Sequence, residues 1–130
     1  MKDDRNAEGG NISPFSEILE EMNLEGGFDR SVLATSEGLP IASYPMQPDH
    51  GLASAMIALL QQVGAETQDN LNLAAVDEVT IRTEDRTHLV CRRIQSGSDW
   101  ICLCALVPAG AHYRRATNRA VRRISQLIEI

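Results

Sequence analysis

The chain contains no Gly-Lys-Ser/Thr phosphate loop, no CxxC pair, no internal repeat and no low-complexity segment. The first absence excludes a P-loop nucleotide hydrolase, and the second excludes a zinc knuckle of the usual spacing. No Ser or Cys lies at a motif distance from His50, His88 or His112, so no nucleophile–base set is legible. The chain therefore reads as a non-enzyme with no catalytic residue, no cofactor and no metal. Its net charge of −6 over 130 residues lacks the basic footprint that nucleic acid demands. Three cysteines are an odd number, and no apolar h-region follows Met1. The expectation is a cytoplasmic protein with reduced thiols and no integral membrane contact. At this length one domain can bury roughly two-thirds of its unfolded surface.

What is present is organised around one further absence. Gly51–Ala65 (GLASAMIALLQQVGA) holds no charged residue. At helical spacing Leu52, Met56, Leu60 and Val63 form one ridge, flanked by Ala55 and Leu59 on one side and by Ala53, Ile57 and Gly64 on the other. The apolar arc spans roughly 200°, where a surface helix needs about 100°. Such a helix has two faces to bury, yet it is too short and too rich in Gln to span a membrane. A second copy of the chain is the expected cover for the outer face.

In order, residues 1–11 read as a disordered tail and 12–130 as the domain. Ser13-Pro14 gives an N-cap followed by Pro at the first helical position, and Phe15, Ile18, Leu19 and Met22 repeat with helical period until Gly26-Gly27. Phe28–Thr35 and Leu39–Tyr44 form a hairpin about Ser36-Glu37-Gly38. Asp49 is a plausible cap for the charge-free helix, which extends to about Leu71. Val76–Thr83 alternates with period two, with Val79, Ile81 and Thr83 on one side and Glu78, Thr80 and Arg82 on the other. Thr87–Gln95 follows the Glu84-Asp85-Arg86 turn. Trp100–Val107 (WICLCALV) is apolar throughout, the mark of a strand covered on both faces. A last helix over about 110–129 buries Tyr113, Ala116, Ala120, Val121, Ile124, Leu127 and Ile128. The element order α-β-β-α-β-β-β-α predicts an α+β, three-layer sandwich. Its five-stranded antiparallel sheet carries the first and last helices on one face and the charge-free helix on the other.

The stretch Ser36-Glu-Gly-Leu-Pro-Ile-Ala-Ser43 resembles the (D/E)-G-L-P-I-A-S hairpin of the roadblock/dynein light-chain family. The small-residue helix, the V-D-E-V-T-I strand and the Arg-rich last helix follow in the family's order, so the resemblance covers roughly residues 13–129. Glu84-Asp85-Arg86 departs from it, since many members have Gly in that turn. The resemblance implies a profilin-like sandwich that dimerises through its second helix and third strand. That places Ala53, Ile57, Leu60 and Gly64 of the helix, and Val76, Glu78, Val79, Thr80, Ile81 and Arg82 of the strand, at the dimer interface. It also implies a small Ras-like GTPase as partner, since bacterial members include a GTPase-activating protein of gliding motility. The residues support the dimer on their own: Val76–Thr83 as a bare edge, without Pro or Lys, would be an aggregation template, and pairing with its own copy removes the edge. Gly64, costing about 1 kcal/mol inside a helix, is then explained by close backbone approach.

Two clusters carry open alternatives. Cys102 and Cys104 share a strand face that Cys91 can join, but His88 has the opposite parity to Cys91, so the thiols read as core residues rather than as a zinc site. Residues 109–130 hold five arginines against Glu129 alone. Arg115, Arg119 and Arg122 line one side of that helix, either as a solvated face or as an electrostatic dock for a partner. The acidic first helix can also neutralise part of it. Two functions remain: a homodimeric GTPase regulator acting without an arginine finger, or a non-catalytic dimeric adaptor for a motor or signalling complex. A small-ligand sensor is a weaker third, because no convergent polar set is visible.

Overall fold

The computed structural model describes residues 13–46 and 50–129, with only the backbone at His50 and Ala53. The tail over 1–11 and the Asp49 cap lie outside the described residues.

Helix α1 (Pro14–Gly26) begins where Ser13 accepts the Ser16 N–H at 3.1 Å, with Pro14 in the first turn. It ends for two separate reasons. Gly27 takes the left-handed conformation (φ 71°) that closes the helix. A side chain at Gly26 would collide with the Phe28 ring, which folds back over the helix end. Strands β1 (Arg30–Thr35) and β2 (Pro40–Tyr44) then pair around Gly38, which also has positive φ (92°). The register slips between Leu33 and Ala34, so Ile41 is extra and left exposed, a bulge that the period-two pattern does not reveal.

Helix α2 runs from His50 to Leu71. Strands β3 (Glu78–Arg82), β4 (His88–Ser96) and β5 (Asp99–Val107) follow, and the sheet order is β2-β1-β5-β4-β3, all antiparallel. β5 is therefore the central strand, as its apolar run Trp100–Val107 requires. Leu103, Ala105 and Val107 point to the layer of α1 and α3 (Arg114–Ile128), while Cys102 and Cys104 point to α2. Helix α3 begins four residues later than its periodicity suggests. Gly110 (φ 85°) sits in a turn closed by the Ala111 N–H on the Pro108 carbonyl, which keeps Ala111–Tyr113 out of the helix. No helix among the described residues is long and apolar enough to cross a membrane.

The β3–β4 turn is closed without glycine. Asp85 accepts the Thr87 N–H at 3.1 Å and the Thr83 hydroxyl, and these bonds hold its carboxyl below the usual carboxylate range. Arg86 nevertheless adopts φ 72° with an exposed side chain. Arg86→Gly is expected to stabilise the domain by about 1 kcal/mol, because the left-handed conformation penalises any residue with a Cβ. Thermal denaturation should show a midpoint a few degrees higher, and an unchanged or lower midpoint refutes the strain.

Candidate interaction site

Strand β3 lies at one edge of the sheet and is paired on one side, to β4. The Arg93 N–H bonds the Asp77 carbonyl (2.8 Å), and the Thr83 N–H bonds the Thr87 carbonyl (2.9 Å). In an antiparallel ladder bonded pairs alternate, so odd-numbered residues from 77 to 83 face β4. The backbone N–H and C=O of Glu78, Thr80 and Arg82 consequently point away from the sheet. Side chains follow the alternation read from the sequence. Val79 packs under α2 beside the cysteines, while Glu78 meets Arg92 (4.0 Å) on the α3 side. Glu78 also accepts the Thr80 hydroxyl at 2.7 Å, and Arg92 reaches Asn118 of α3 at 2.8 Å. Ile81 is 38% exposed, and Leu71 and Leu73, on the chain leading into the strand, are more exposed still. Val76 precedes the strand and packs half-buried on the α2-side cluster, and Arg82 is exposed at its end.

Helix α2 divides its wide apolar arc differently from the sequence expectation. Ile57 and Leu60 are 5% and 4% exposed and pack with Met56 on Val32, Ala34 and the three cysteines. The protomer's own sheet thus already covers both side chains, which the resemblance places at a dimer interface. The outward strip is Ala55, Ala58 and Gln62, all exposed, with Leu59 at its border and partly packed against the cluster under the helix. Leu59, read only as a flank, is the large apolar residue beside it and is half-buried. Gly64 is half-exposed, and a Cβ there would meet nothing within 4 Å. Among the described residues nothing therefore calls for glycine at 64. The Ala53 side chain lies outside the description.

The arginines of α3 are partly committed to α1. Arg119 approaches Glu25 at 3.8 Å, and Arg123 is paired with Glu21. Exposed pairs of this kind contribute roughly 0–1 kcal/mol each. Arg115 and Arg122 are exposed, and among the described residues no ion pair involves them. The stripe thus reduces to two cations not engaged by the described acidic residues, with Arg119 beside them.

The third assembly lies under α2. Cys91 stands opposite Cys104 in the β4–β5 register, with Cys102 two residues along on the same face. Their sulfurs lie 3.5 Å (Cys91–Cys104), 3.4 Å (Cys102–Cys104) and 2.7 Å (Cys91–Cys102) apart, and all three are free and fully buried. The Cys102 thiol is pushed up because it shares its proton with Cys104 and Cys91, and burial adds to this. The hydrogen bonds with Cys102 and Cys91 lower Cys104 relative to its neighbours, while burial works against the charged form. His88 stands on the other face, its ring centroid 5.6 Å from that of Tyr113.

No family model and no curated protein matches the sequence, but the architecture is shared with solved structures. The fold is that of Roadblock/LC7 domains. A Roadblock/LC7 domain from Streptomyces avermitilis superposes with a TM-score of 0.69 at 17% identity, over 90% of this chain and 93% of that one. Myxococcus xanthus MglB gives a TM-score of 0.78 at 13% identity, over 91% and 97% of the two chains. Acanthamoeba castellanii profilin IB, at TM-score 0.51 and 10% identity over 88% and 94%, shares the wider sandwich.

Proposed function

We propose that the chain is a homodimeric regulator that binds a small Ras-like GTPase, in preference when the GTPase carries GTP. The reading is carried by a roadblock-type sandwich whose β3 edge is open beside the outward strip of α2. The SEGLPIAS hairpin and the likeness to MglB point in the same direction. Two β3 strands related by a two-fold axis would join the sheets, and a stable dimer of this kind buries roughly 800 Å² per subunit. Exposed Leu71, Leu73 and Ile81 supply apolar area there, and Gly64 admits a neighbouring backbone.

The GTPase would lie across the two-fold axis on the paired helices, one per dimer, with Arg115 and Arg122 as a second contact. Preference for GTP follows if the dimer touches switch segments that the γ-phosphate orders. Any stimulation of hydrolysis would come from positioning the GTPase's own residues rather than from an arginine finger. The test is titration of the dimer into fluorescently labelled GTPase from the same organism, loaded with GDP or a non-hydrolysable GTP analogue. At least tenfold tighter binding to the GTP form is expected, about 1.4 kcal/mol. Equal affinities would remove the regulator and leave the adaptor, since a ligand that does not discriminate two states cannot shift them.

A further inference from the structure

We propose that Cys91, Cys102 and Cys104 form a pre-assembled trithiol site for a trivalent metalloid of the arsenite class. Adjacent central strands fix all three Cα positions, so the sulfurs converge without any loop having to order. The argument for arsenic over a metal ion rests on charge, coordination number and size.

The walls are apolar: Val32, Ala34, Met56, Ile57 and Leu60 close over the sulfurs. An uncompensated charge in such a place is strongly disfavoured. Three thiolates on Zn²⁺ leave a net charge of −1 and a fourth position to fill. Among the described residues the group contains three cysteines and no His, Asp or Glu. Three thiolates on Cu⁺ leave −2. Arg93 is opposite Cys102 in the ladder, but its guanidinium lies over the Trp100 ring, 5.7 Å from the centroid, so it does not neutralise the site. Trivalent arsenic forms three bonds to sulfur, keeps a lone pair, needs no fourth ligand and leaves no net charge.

Size points the same way. A tetrahedral centre with bonds of about 2.3 Å holds its sulfurs about 3.8 Å apart. A pyramidal centre with bonds of similar length and near-right angles brings them to about 3.3 Å. Two edges of the triangle are 3.4 and 3.5 Å, and only the Cys91–Cys102 edge has to open. The exchange balances without redox chemistry. As(OH)₃ and three thiols give As(S-Cys)₃ and three waters, each thiol proton leaving with one hydroxide.

The experiment incubates the reduced full chain with sodium arsenite in two arms, one native and one refolded from denaturant with arsenite present, because α2 covers the sulfurs. Native mass spectrometry should show one arsenic per chain with the loss of three protons, and all three thiols should resist alkylation. Cys91→Ser, Cys102→Ser and Cys104→Ser should each weaken binding at least 100-fold, with circular dichroism confirming that the variants fold. The wild-type adduct should survive a competing small dithiol that strips the variants. Absence of the adduct in both arms overturns the assignment, as does equal binding by folded Cys→Ser variants. Stoichiometric zinc or copper(I) binding tighter than arsenite overturns it as well.

Discussion

Ile57→Asp and Leu60→Asp are expected to unfold the protomer, not merely to separate two folded copies. Both side chains are almost completely covered and meet Val32, Ala34 and the trithiol cluster beneath α2. Truncating a buried Leu or Ile already costs about 2–5 kcal/mol. An unpaired carboxylate in the same apolar site adds a further penalty, or forces the group to stay protonated. A total on the order of 5 kcal/mol approaches the whole stability of a typical domain. The thermal midpoint should fall by roughly 15–20 °C or the cooperative transition should vanish, since each kcal/mol shifts a domain of this size by a few degrees. Leu59→Asp at the border of the outward strip provides the contrast. Leu59 is only partly buried against the same cluster, so this substitution should lower the midpoint by less than either buried one while weakening association. If Ile57→Asp instead gives a well-folded monomer, the helix is rotated from the arrangement described and Ile57 belongs to an interface.

The rotation of α2 is the point at which the sequence is least legible, and the reason is physical. A helix with a narrow apolar stripe declares its buried face by the polar residues opposite. Here Leu59, Leu60 and Ile57 are chemically equivalent, and no charge between Gly51 and Ala65 breaks the tie. Only the shape of the sheet, with Val32, Ala34 and the cysteines presenting small side chains, decides which two turn inward. Elements with local chemistry are legible in full. Ser13-Pro14 starts α1, Gly26-Gly27 ends it, and an unbroken apolar run identifies β5 as central. The convergence of Cys102 and Cys104 follows from period two, and Cys91 joins them through a register that no single strand encodes. Likewise, the pairing of Arg119 and Arg123 with Glu25 and Glu21 depends on α1 and α3 being neighbours, although nearly 100 residues separate them in the chain. The late start of α3 and the bulge at Ile41 were hidden because both arise from backbone turns, not from side-chain periodicity.

Thr80→Pro is expected to abolish self-association while leaving the protomer folded. The ladder to β4 uses the backbone of residues 77, 79, 81 and 83, so the Thr80 N–H is not part of it. Proline is tolerated on edge strands where the N–H faces outward. The preceding Val79 already has the extended conformation that a following proline requires. Within the protomer the loss is the Thr80–Glu78 side-chain hydrogen bond, a small term at a partly exposed site. Across a two-fold axis the same substitution removes a donor at the centre of the joined strands and places a ring where the partner's carbonyl would sit. Sedimentation equilibrium at micromolar concentration should therefore show a dimer for the wild type and a monomer for Thr80→Pro, with the dissociation constant raised at least 100-fold, about 2.7 kcal/mol. Val79→Pro is the control, because it breaks the ladder to β4 and should destabilise the protomer instead. A Thr80→Pro protein that remains dimeric would show that copies do not associate through the β3 edge. A Thr80→Pro monomer that still binds the GTP-loaded GTPase at wild-type strength would preserve the edge pairing but place the partner contact within one protomer, away from the two-fold axis.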